Sequence, residues 1–273
     1  MPISDKYYDL IRKELKRIAE EEDVLILWAC ESGSRAWGFE STNSDYDVRF
    51  IYIRKPEDYH RVSPLRDVIE VPISDELDIS GWDLPKALGL LRKSNPPLLE
   101  WLQSPIVYTE YNGFRESFWK LCESYFCPRS CMYHYMSMAN RNRRSYLDAD
   151  LIRLKRYFYM LRPVLACEWL LKYSSVAPIE FSVLLDDLIP KGNIRALIDN
   201  LLDKKRADVE LGEAPVIPEL SEYIISKMES YTEVVKGTEF IREWEPLDQY
   251  FRDTLKRANK KEVRHYSKAD TLG

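Results

Sequence analysis

The strongest constraint on the fold is an apolar run at residues 24–30 that leads into a glycine-containing turn. A short continuous apolar run is typical of a strand that is buried on both faces. The turn, Gly33-Ser34-Arg35-Ala36-Trp37-Gly38, contains two of the chain's nine glycines, and a segment rich in Tyr, Val, Phe and Ile follows at residues 45–53. This order predicts two strands of one sheet, joined by a turn whose backbone can approach a ligand closely.

Two carboxylates, Asp45 and Asp47, stand at the start of the second predicted strand with one residue between them. Because side chains alternate between the faces of a strand, both point the same way, with Cα atoms about 6–7 Å apart. Carboxylates this close repel each other, and a divalent cation such as Mg²⁺ relieves the repulsion. The alternative is that the pair is solvated at a strand edge.

The glycine turn complements these carboxylates. Gly33 has no side chain to obstruct an anion, and Ser34 adds a hydroxyl beside the backbone amides. A phosphate-binding turn next to a metal-binding carboxylate pair is an arrangement suited to phosphoryl transfer.

Composition excludes several classes of protein. Apolar residues make up 45% of the 273 residues, which suffices for a substantial core, and the net charge of −5 argues against a strongly basic nucleic-acid binder. No apolar run approaches the roughly 18 residues of a membrane helix, and the first residues lack the regions typical of a signal peptide. With five cysteines read as reduced thiols, we expect a cytoplasmic protein with no membrane partner.

Helical and strand-like patterns divide the chain near residue 110. An amphipathic pattern predicts a helix at 5–21, and two further strand-like segments precede a helix that Asp83 is placed to cap. Beyond that boundary glycine becomes scarce and helical periodicity dominates. We therefore expect an α+β fold, with a mixed sheet and flanking helices at 1–110 and an all-helical domain at 111–273.

Several segments resemble one known family. Gly33-Ser34, followed about ten residues later by Asp45-Tyr46-Asp47-Val48, resembles the signature of the DNA polymerase β-type nucleotidyltransferase superfamily. Other segments resemble the predicted nucleotidyltransferases of the RNA repair pathway group, namely residues 78–84, 94–96, 99–102, 155–159 and 161–163. The resemblance covers most of residues 25–175 and implies a nucleotidyltransferase-type sheet domain, with the site in a cleft against the helical domain.

The superfamily resemblance implies a third carboxylate on a neighbouring strand, which with Asp45 and Asp47 holds two Mg²⁺ or Mn²⁺ ions. Asp78 fits this role because apolar residues flank it in a strand-like run. Asp83 is the rival, although capping of the following helix accounts for it.

The resemblance also implies a nucleotide site around the turn. Gly33 and Ser34 would hold the outgoing phosphates of an NTP, and Ser44 belongs to the same signature. Arg35 either neutralises the carboxylates or contacts a phosphate, and Arg49, on the strand face of Asp47, has the same two options.

A second set of candidates lies in the helical half, on the predicted helix at 151–173. Lys155, Tyr159 and Arg162 recur at spacings of four and three. A different face carries the apolar stripe of Leu154, Phe158, Leu161 and Leu165. The polar face either grips a triphosphate, with the aromatic ring near base or sugar, or packs against the first domain with its charges satisfied.

These features predict transfer of a nucleoside monophosphate from an NTP to an acceptor hydroxyl, with release of pyrophosphate. Family resemblance suggests an RNA end as acceptor, and a protein side chain or a small molecule is the alternative. A non-catalytic nucleotide-binding partner domain is a further alternative, which three intact carboxylates disfavour. The sequence leaves the preferred base and the oligomeric state open.

Overall fold

The computed structural model describes residues 3–71, 76–146, 151–207, 213–235 and 242–269. In the first part the elements are α1 (Asp5–Glu21), β1 (Leu25–Glu31), α2 (Gly33–Ala36), β2 (Tyr46–Ile53), a 3₁₀ turn (Pro56–His60), β3 (Val68–Val71), β4 (Leu77–Asp83), α3 (Leu84–Arg92), α4 (Pro96–Gln103) and β5 (Val107–Glu110). The second part contains α5 (Phe114–Tyr125), α6 (Pro128–Tyr146), β6 (Leu151–Arg153), α7 (Arg156–Tyr173), α8 (Phe181–Leu188), α9 (Asn193–Arg206), β7 (Glu213–Pro215), α10 (Pro218–Val235) and α11 (Glu245–Ala269).

Within the described ranges, the strands of the first part form one mixed sheet in the order β3-β4-β2-β1-β5. The pair β2 and β4 is parallel, and the other pairs are antiparallel. The predicted α+β class is confirmed. One detail differs, because β6 and β7 form a small antiparallel sheet in the second part, which was expected to be all-helical. Strands of three residues are too short to leave a periodic pattern in the sequence.

Strand β2 shows how the sheet positions the site. Tyr46, Val48 and Phe50 are buried on the face covered by α1, in one cluster with Ile11 and Leu15 of that helix. The alternate residues of β2 point to the opposite face. There the far end of the strand is buried beneath the helices, while the near end carries Asp47 and Arg49 and is only partly covered. The polar side chains therefore lie where the helical cover ends.

The second face of the sheet and the helical part share one hydrophobic core. Leu27 and Ile51 of the sheet belong to the same cluster of buried residues as Phe158 and Leu165 of α7. The two parts thus pack against each other extensively, and the boundary near residue 110 stays a prediction. No helix among the described residues is both long enough and apolar enough to cross a membrane.

Candidate active site

The parallel pairing of β2 and β4 brings two carboxylates side by side. Asp47 and Asp78 are register partners across the two strands. Arg49 lies between them and donates from Nη2 to Asp47 Oδ1 at 3.2 Å and to Asp78 Oδ2 at 2.6 Å. Its Nη1 donates to the main-chain oxygens of Val48 and Asp78 at 3.0 and 3.1 Å. The single guanidinium thus pairs with both carboxylates and offsets part of their combined negative charge.

Gly33 lies directly against the Asp47 carboxylate. Its φ is +59°, a backbone conformation that L side chains rarely adopt. A Cβ at this position would lie 1.9 Å from Asp47 Oδ2 and 2.8 Å from Asp47 Cγ. Two independent constraints therefore require glycine here, and the second of them is imposed by the site itself.

Asp45 lies immediately before β2 and is exposed. Its position is set by Arg35, which donates to the main-chain oxygens of Ser44 at 2.7 Å and Asp45 at 3.3 Å. The same guanidinium lies 4.0 Å from the centre of the Tyr46 ring. The Ser44 hydroxyl accepts from the Ser41 amide at 2.9 Å and closes the preceding turn. Arg35 and Ser44 therefore hold the loop that presents Asp45.

Burial raises the pKa of the Asp47 carboxyl, and the neighbouring charges of Asp78 and Asp45 act in the same direction. The guanidiniums of Arg49 and Arg35 oppose this effect. A carboxylate held close to two others in a half-buried position binds a cation more readily than an isolated surface carboxylate does.

A further carboxylate, Glu31, lies behind this site at the end of β1 and is fully buried. Glu31 Oε1 accepts from the Asp47 amide at 3.0 Å, and Tyr108 donates its hydroxyl to the other oxygen. Burial raises the pKa of Glu31 to about 7, which its two hydrogen-bond donors partly oppose. Glu31 fixes the backbone of Asp47 and is a residue that the sequence reasoning missed.

Asp83, the rival third carboxylate, lies apart from this group. It ends β4 five positions beyond Asp78, so the pleat turns it to the other face, and its register partner is Tyr52. Tyr59 donates its hydroxyl to Asp83 Oδ1 at 2.6 Å. Burial raises the pKa of Asp83 to about 6. Of the two candidates, the structure brings Asp78 to Asp47.

The structure places Arg162, a candidate triphosphate ligand or packing residue of the predicted helix, in the interior of the protein. The Arg162 side chain is 2% exposed and forms an ion pair with Glu100, whose side chain is 7% exposed. Tyr135 donates its hydroxyl to Glu100 Oε1 at 3.0 Å. The physical reason is that α7 is buried on nearly all sides over its central turns, so an arginine there must find an internal partner. The packing alternative describes Arg162.

Trp37 links this buried cluster to the glycine turn. Its Nε1 donates to Glu100 Oε2 at 3.2 Å, and the Arg162 guanidinium lies 4.8 Å from its ring centre. The exposed Tyr159 packs edge-on against the same indole, with ring centres 6.1 Å apart. Lys155 precedes α7 and is exposed. Tyr159 thus stands beside the signature turn, a position compatible with both alternatives for this helix face.

The donor set at this end of β2 and β4 suits a hard divalent cation, because Asp47, Asp78 and Asp45 offer carboxylate oxygens. Within the described residues, no group of three His, Cys, Asp or Glu side chains converges closely enough to form a ready cation site. The charge that such a cation would supply is provided by Arg49 between two of the carboxylates. The residue types fit Mg²⁺ or Mn²⁺, provided that Arg49 gives way.

The missed residues share a recognisable signal in the sequence. Glu31 directly follows the apolar run of β1, and Glu100 is the single charge among Leu98, Leu99, Trp101 and Leu102. A lone charge inside an apolar segment indicates a buried group with a specific partner. The partner itself lies far away in the sequence and cannot be read from the local pattern.

Comparison with known proteins identifies the wider group. A family model described as the RNA repair pathway DNA polymerase beta family matches residues 8–253. The chain is 48% identical over 223 residues to the Bacillus subtilis (strain 168) protein named "Uncharacterized protein YcgL", covering 82% of this chain and 86% of that protein. A crystal structure of a nucleotidyltransferase-like protein from Exiguobacterium sibiricum 255-15 covers 84% of this chain and 81% of its own, with 11% identity and a TM-score of 0.31.

Proposed function

Because the chain belongs to the RNA repair pathway DNA polymerase beta family, we propose that it is a metal-dependent nucleotidyltransferase. The reaction moves a nucleoside monophosphate from an NTP to an acceptor hydroxyl. The hydroxyl gives up its proton to water and its oxygen forms a bond to the α-phosphorus. The bond from that phosphorus to the bridging oxygen breaks, and pyrophosphate leaves with the electron pair. The observation that carries the proposal is the pairing of Asp47 with Asp78 directly against Gly33.

In this proposal Asp45, Asp47 and Asp78 hold two Mg²⁺ or Mn²⁺ ions. When bound, such ions neutralise charge on the phosphates and lower the pKa of the attacking hydroxyl. The three carboxylates supply hard oxygen ligands from two strands and one loop, so their relative positions depend on the sheet register. Glu31 keeps the Asp47 backbone in place through its amide.

The remaining residues bind and orient the nucleotide. The lack of a side chain at Gly33 leaves room for the Asp47 carboxylate against the turn, and Ser34 follows it in α2 with a partly exposed side chain. Arg49 holds the carboxylates together before the cation binds, and in our proposal its guanidinium then turns towards a phosphate. Lys155 and Tyr159 remain candidates for the triphosphate and the sugar or base. Catalysis by such an arrangement consists mainly of positioning and of stabilising developing charge.

The family description favours an RNA end as the acceptor. A protein side chain and a small molecule are the alternatives, and a non-catalytic nucleotide-binding domain is the alternative of a different class. We also propose that the protein is cytoplasmic and that its two domains meet near residue 110.

The test is to incubate the purified chain with Mg²⁺ and each α-³²P-labelled NTP in the presence of RNA, protein and metabolite pools. We expect release of pyrophosphate together with label in one pool. Asp47→Asn is the control, because it removes a proposed ligand but keeps the size of the side chain. Absence of transfer with every NTP and every pool, or equal transfer by the control, would overturn the proposal.

A further inference from the structure

A pocket of about 560 Å³ opens beside the carboxylates, on the side away from the glycine turn. Its floor is strand β4, from which Asp78, Ser80 and Trp82 line it at alternate positions. Trp101 of α4 forms one wall, and Arg66, which precedes β3, lies at another side. Ligand pockets commonly have volumes of about 300–1,000 Å³, so this pocket can take a ligand of nucleotide size.

The aromatic part of the pocket is a stacked pair of indoles. The ring centres of Trp82 and Trp101 lie 3.8 Å apart with an angle of 28° between the planes. Trp101 is 4% exposed, whereas Trp82 is only partly buried. The buried ring therefore fixes the orientation of the accessible one, which gives a flat and rigid surface. Nucleic acid bases stack on such surfaces regardless of their sequence, because every base has a π-face.

The charged part of the pocket has both signs. Arg49 and Arg66 contribute positive charge, and Asp78 and Glu70 contribute negative charge. Arg66 pairs with Glu70, and both side chains are more than half exposed, so this ion pair contributes little and exchanges readily for another partner. A polycationic small molecule would require mainly carboxylates. An indole platform with an exchangeable arginine at its side suits a base and its phosphate.

We propose that this pocket is the acceptor subsite and that it binds the terminal nucleotide of a single-stranded nucleic acid with a free hydroxyl. The base stacks on Trp82, Arg66 contacts the phosphate of the terminal nucleotide, and the hydroxyl lies at Asp78. This inference rests on the proposed function and specifies its acceptor. The net charge of −5 agrees with recognition of an end, since an extended nucleic-acid surface requires more positive charge.

The experiment measures the binding of short oligoribonucleotides and oligodeoxyribonucleotides with a 5′ fluorophore, by anisotropy, with Mg²⁺ and without NTP. We expect Trp82→Leu to weaken binding about 5- to 160-fold, the range that corresponds to the loss of one base–aromatic stack. Trp82→Phe retains an aromatic plane and should stay within about threefold of the original chain. Arg66→Ala should weaken binding and reduce the slope of log K against log salt by about 1.

Matched controls separate the pocket from general effects. Trp169→Leu removes another partly exposed indole, whose Nε1 donates to Ser175 Oγ at 3.1 Å in the helical part. Arg61→Ala removes an arginine that precedes Arg66 in the same loop of the sequence, and Arg61 pairs with Asp58 at 3.3 Å. Both controls should bind the oligonucleotides as the original chain does. Thermal melts of all variants identify losses due to unfolding, and Arg66→Ala, at an exposed side chain, keeps the test valid if the leucine variant unfolds.

The possible outcomes distinguish failure of the pocket proposal from failure of the proposed transferase function. Equal binding by Trp82→Leu and the original chain would overturn the pocket proposal, as would NTP-dependent labelling of an acceptor that contains no nucleobase. The latter result would leave the transferase function intact. Conversely, oligonucleotide binding that depends on Trp82, combined with no transfer from any NTP, would support nucleic-acid binding in the pocket but overturn the transferase proposal and with it the acceptor role.

Discussion

Two arginine–carboxylate clusters lie on either side of the glycine turn, and they differ mainly in their exposure to solvent. In the first, Arg49 contacts Asp47 and Asp78, whose side chains are 32% and 60% exposed. In the second, Arg162 pairs with Glu100 in the interior, where both side chains are almost completely buried. An ion pair between arginine and a carboxylate can therefore exchange partners where it is exposed, and it is permanent where it is buried.

The difference follows from the free energy of moving charges out of water. A partly exposed ion pair contributes little to stability, so its carboxylates can exchange one cation for another. A buried pair is held in place because loss of either partner leaves an unpaired charge in the core. Trp37 joins the two regions, since it belongs to the glycine turn and donates to Glu100. The buried cluster anchors the turn, and the exposed cluster is left open for ligands.

The largest expected effect concerns the exposed cluster. We expect Asp47→Asn to lower kcat for nucleotidyl transfer about 1,000-fold, because it removes a charge that acts on the transition state. The free energy of unfolding should change by less than about 1 kcal/mol, since the half-buried side chain keeps its size after the substitution. Labelled transfer and urea unfolding measure the two quantities. Asp187→Asn, at an exposed ion pair with Lys172, serves as control. Full activity of Asp47→Asn would remove this residue from the site.

The buried cluster should respond in the opposite way. Arg162→Met leaves Glu100 buried without its cation, and we expect a loss of about 3–5 kcal/mol in the free energy of unfolding. Adding Glu100→Gln should recover most of that loss, because the amide oxygen still accepts from Trp37 or Tyr135. NTP affinity of the folded fraction should not change. Weaker NTP binding without loss of stability would show instead that Arg162 contacts the ligand.

Gly33 tests whether the turn and the carboxylate depend on each other. Gly33→Ala and Gly38→Ala both place a Cβ at a positive φ, which costs roughly 1–2 kcal/mol in each variant. Only at Gly33 does the new Cβ collide with Asp47, since nothing lies within 4 Å at Gly38. We expect similar losses of stability but a loss of kcat at least about tenfold larger for Gly33→Ala. Equal kcat values in the two variants would contradict the proposed contact.

Asp83 offers a third comparison, a buried carboxylate held by a tyrosine hydroxyl. Its pKa in the folded state is about 6, above the ordinary value of 3.8 for an aspartate carboxyl, so the folded state binds the proton more tightly than the unfolded state does. The stabilisation is complete below about pH 4 and is lost as the pH rises through about 6. As the pH rises from about 4 to about 6, the free energy of unfolding of the original chain should fall by at most about 3 kcal/mol relative to that of Asp83→Asn.

Urea unfolding at several pH values between about 3 and 7 measures this dependence, and the change due to Glu116 occurs below about pH 4.5. Glu116→Gln is the control, because its exposed partner Lys120 lowers the pKa of Glu116 and the pH dependence should have the opposite sign. If the free energies of unfolding of Asp83→Asn and of the original chain change equally with pH, then folding does not shift the pKa of Asp83.

The smallest expected effect belongs to Lys155. If it contacts the triphosphate, Lys155→Ala should weaken NTP binding about tenfold, near the lower limit for a charge-assisted hydrogen bond. Lys172→Ala, at the other end of α7, should leave the affinity unchanged. Calorimetric titration of both variants with NTP compares them directly, and equal affinities would exclude Lys155 from the site.

Much of this architecture was predictable from local patterns. Periodicity predicted a helix at 5–21, and α1 spans the same residues. The apolar run and the Asp-x-Asp segment predicted β1 and β2, and the recognised superfamily and RNA repair group are confirmed by the family match. The burial of Arg162 was not predictable, because helical spacing alone does not reveal how completely a helix is covered. The site roles of the carboxylates remain predictions.

The sequence by itself determined which residues alternate along each strand, where a glycine is needed for backbone freedom, and which family the chain resembles. These properties depend on neighbours along the chain, so short stretches of sequence are enough to predict them. Only the tertiary structure decided that Asp78 stands opposite Asp47, that Arg162 finds Glu100, and that Trp82 rests on Trp101. Such pairs are distant in sequence, and their contact is set by sheet register and by the helices that cover the sheet, since burial is a property of the whole packed chain.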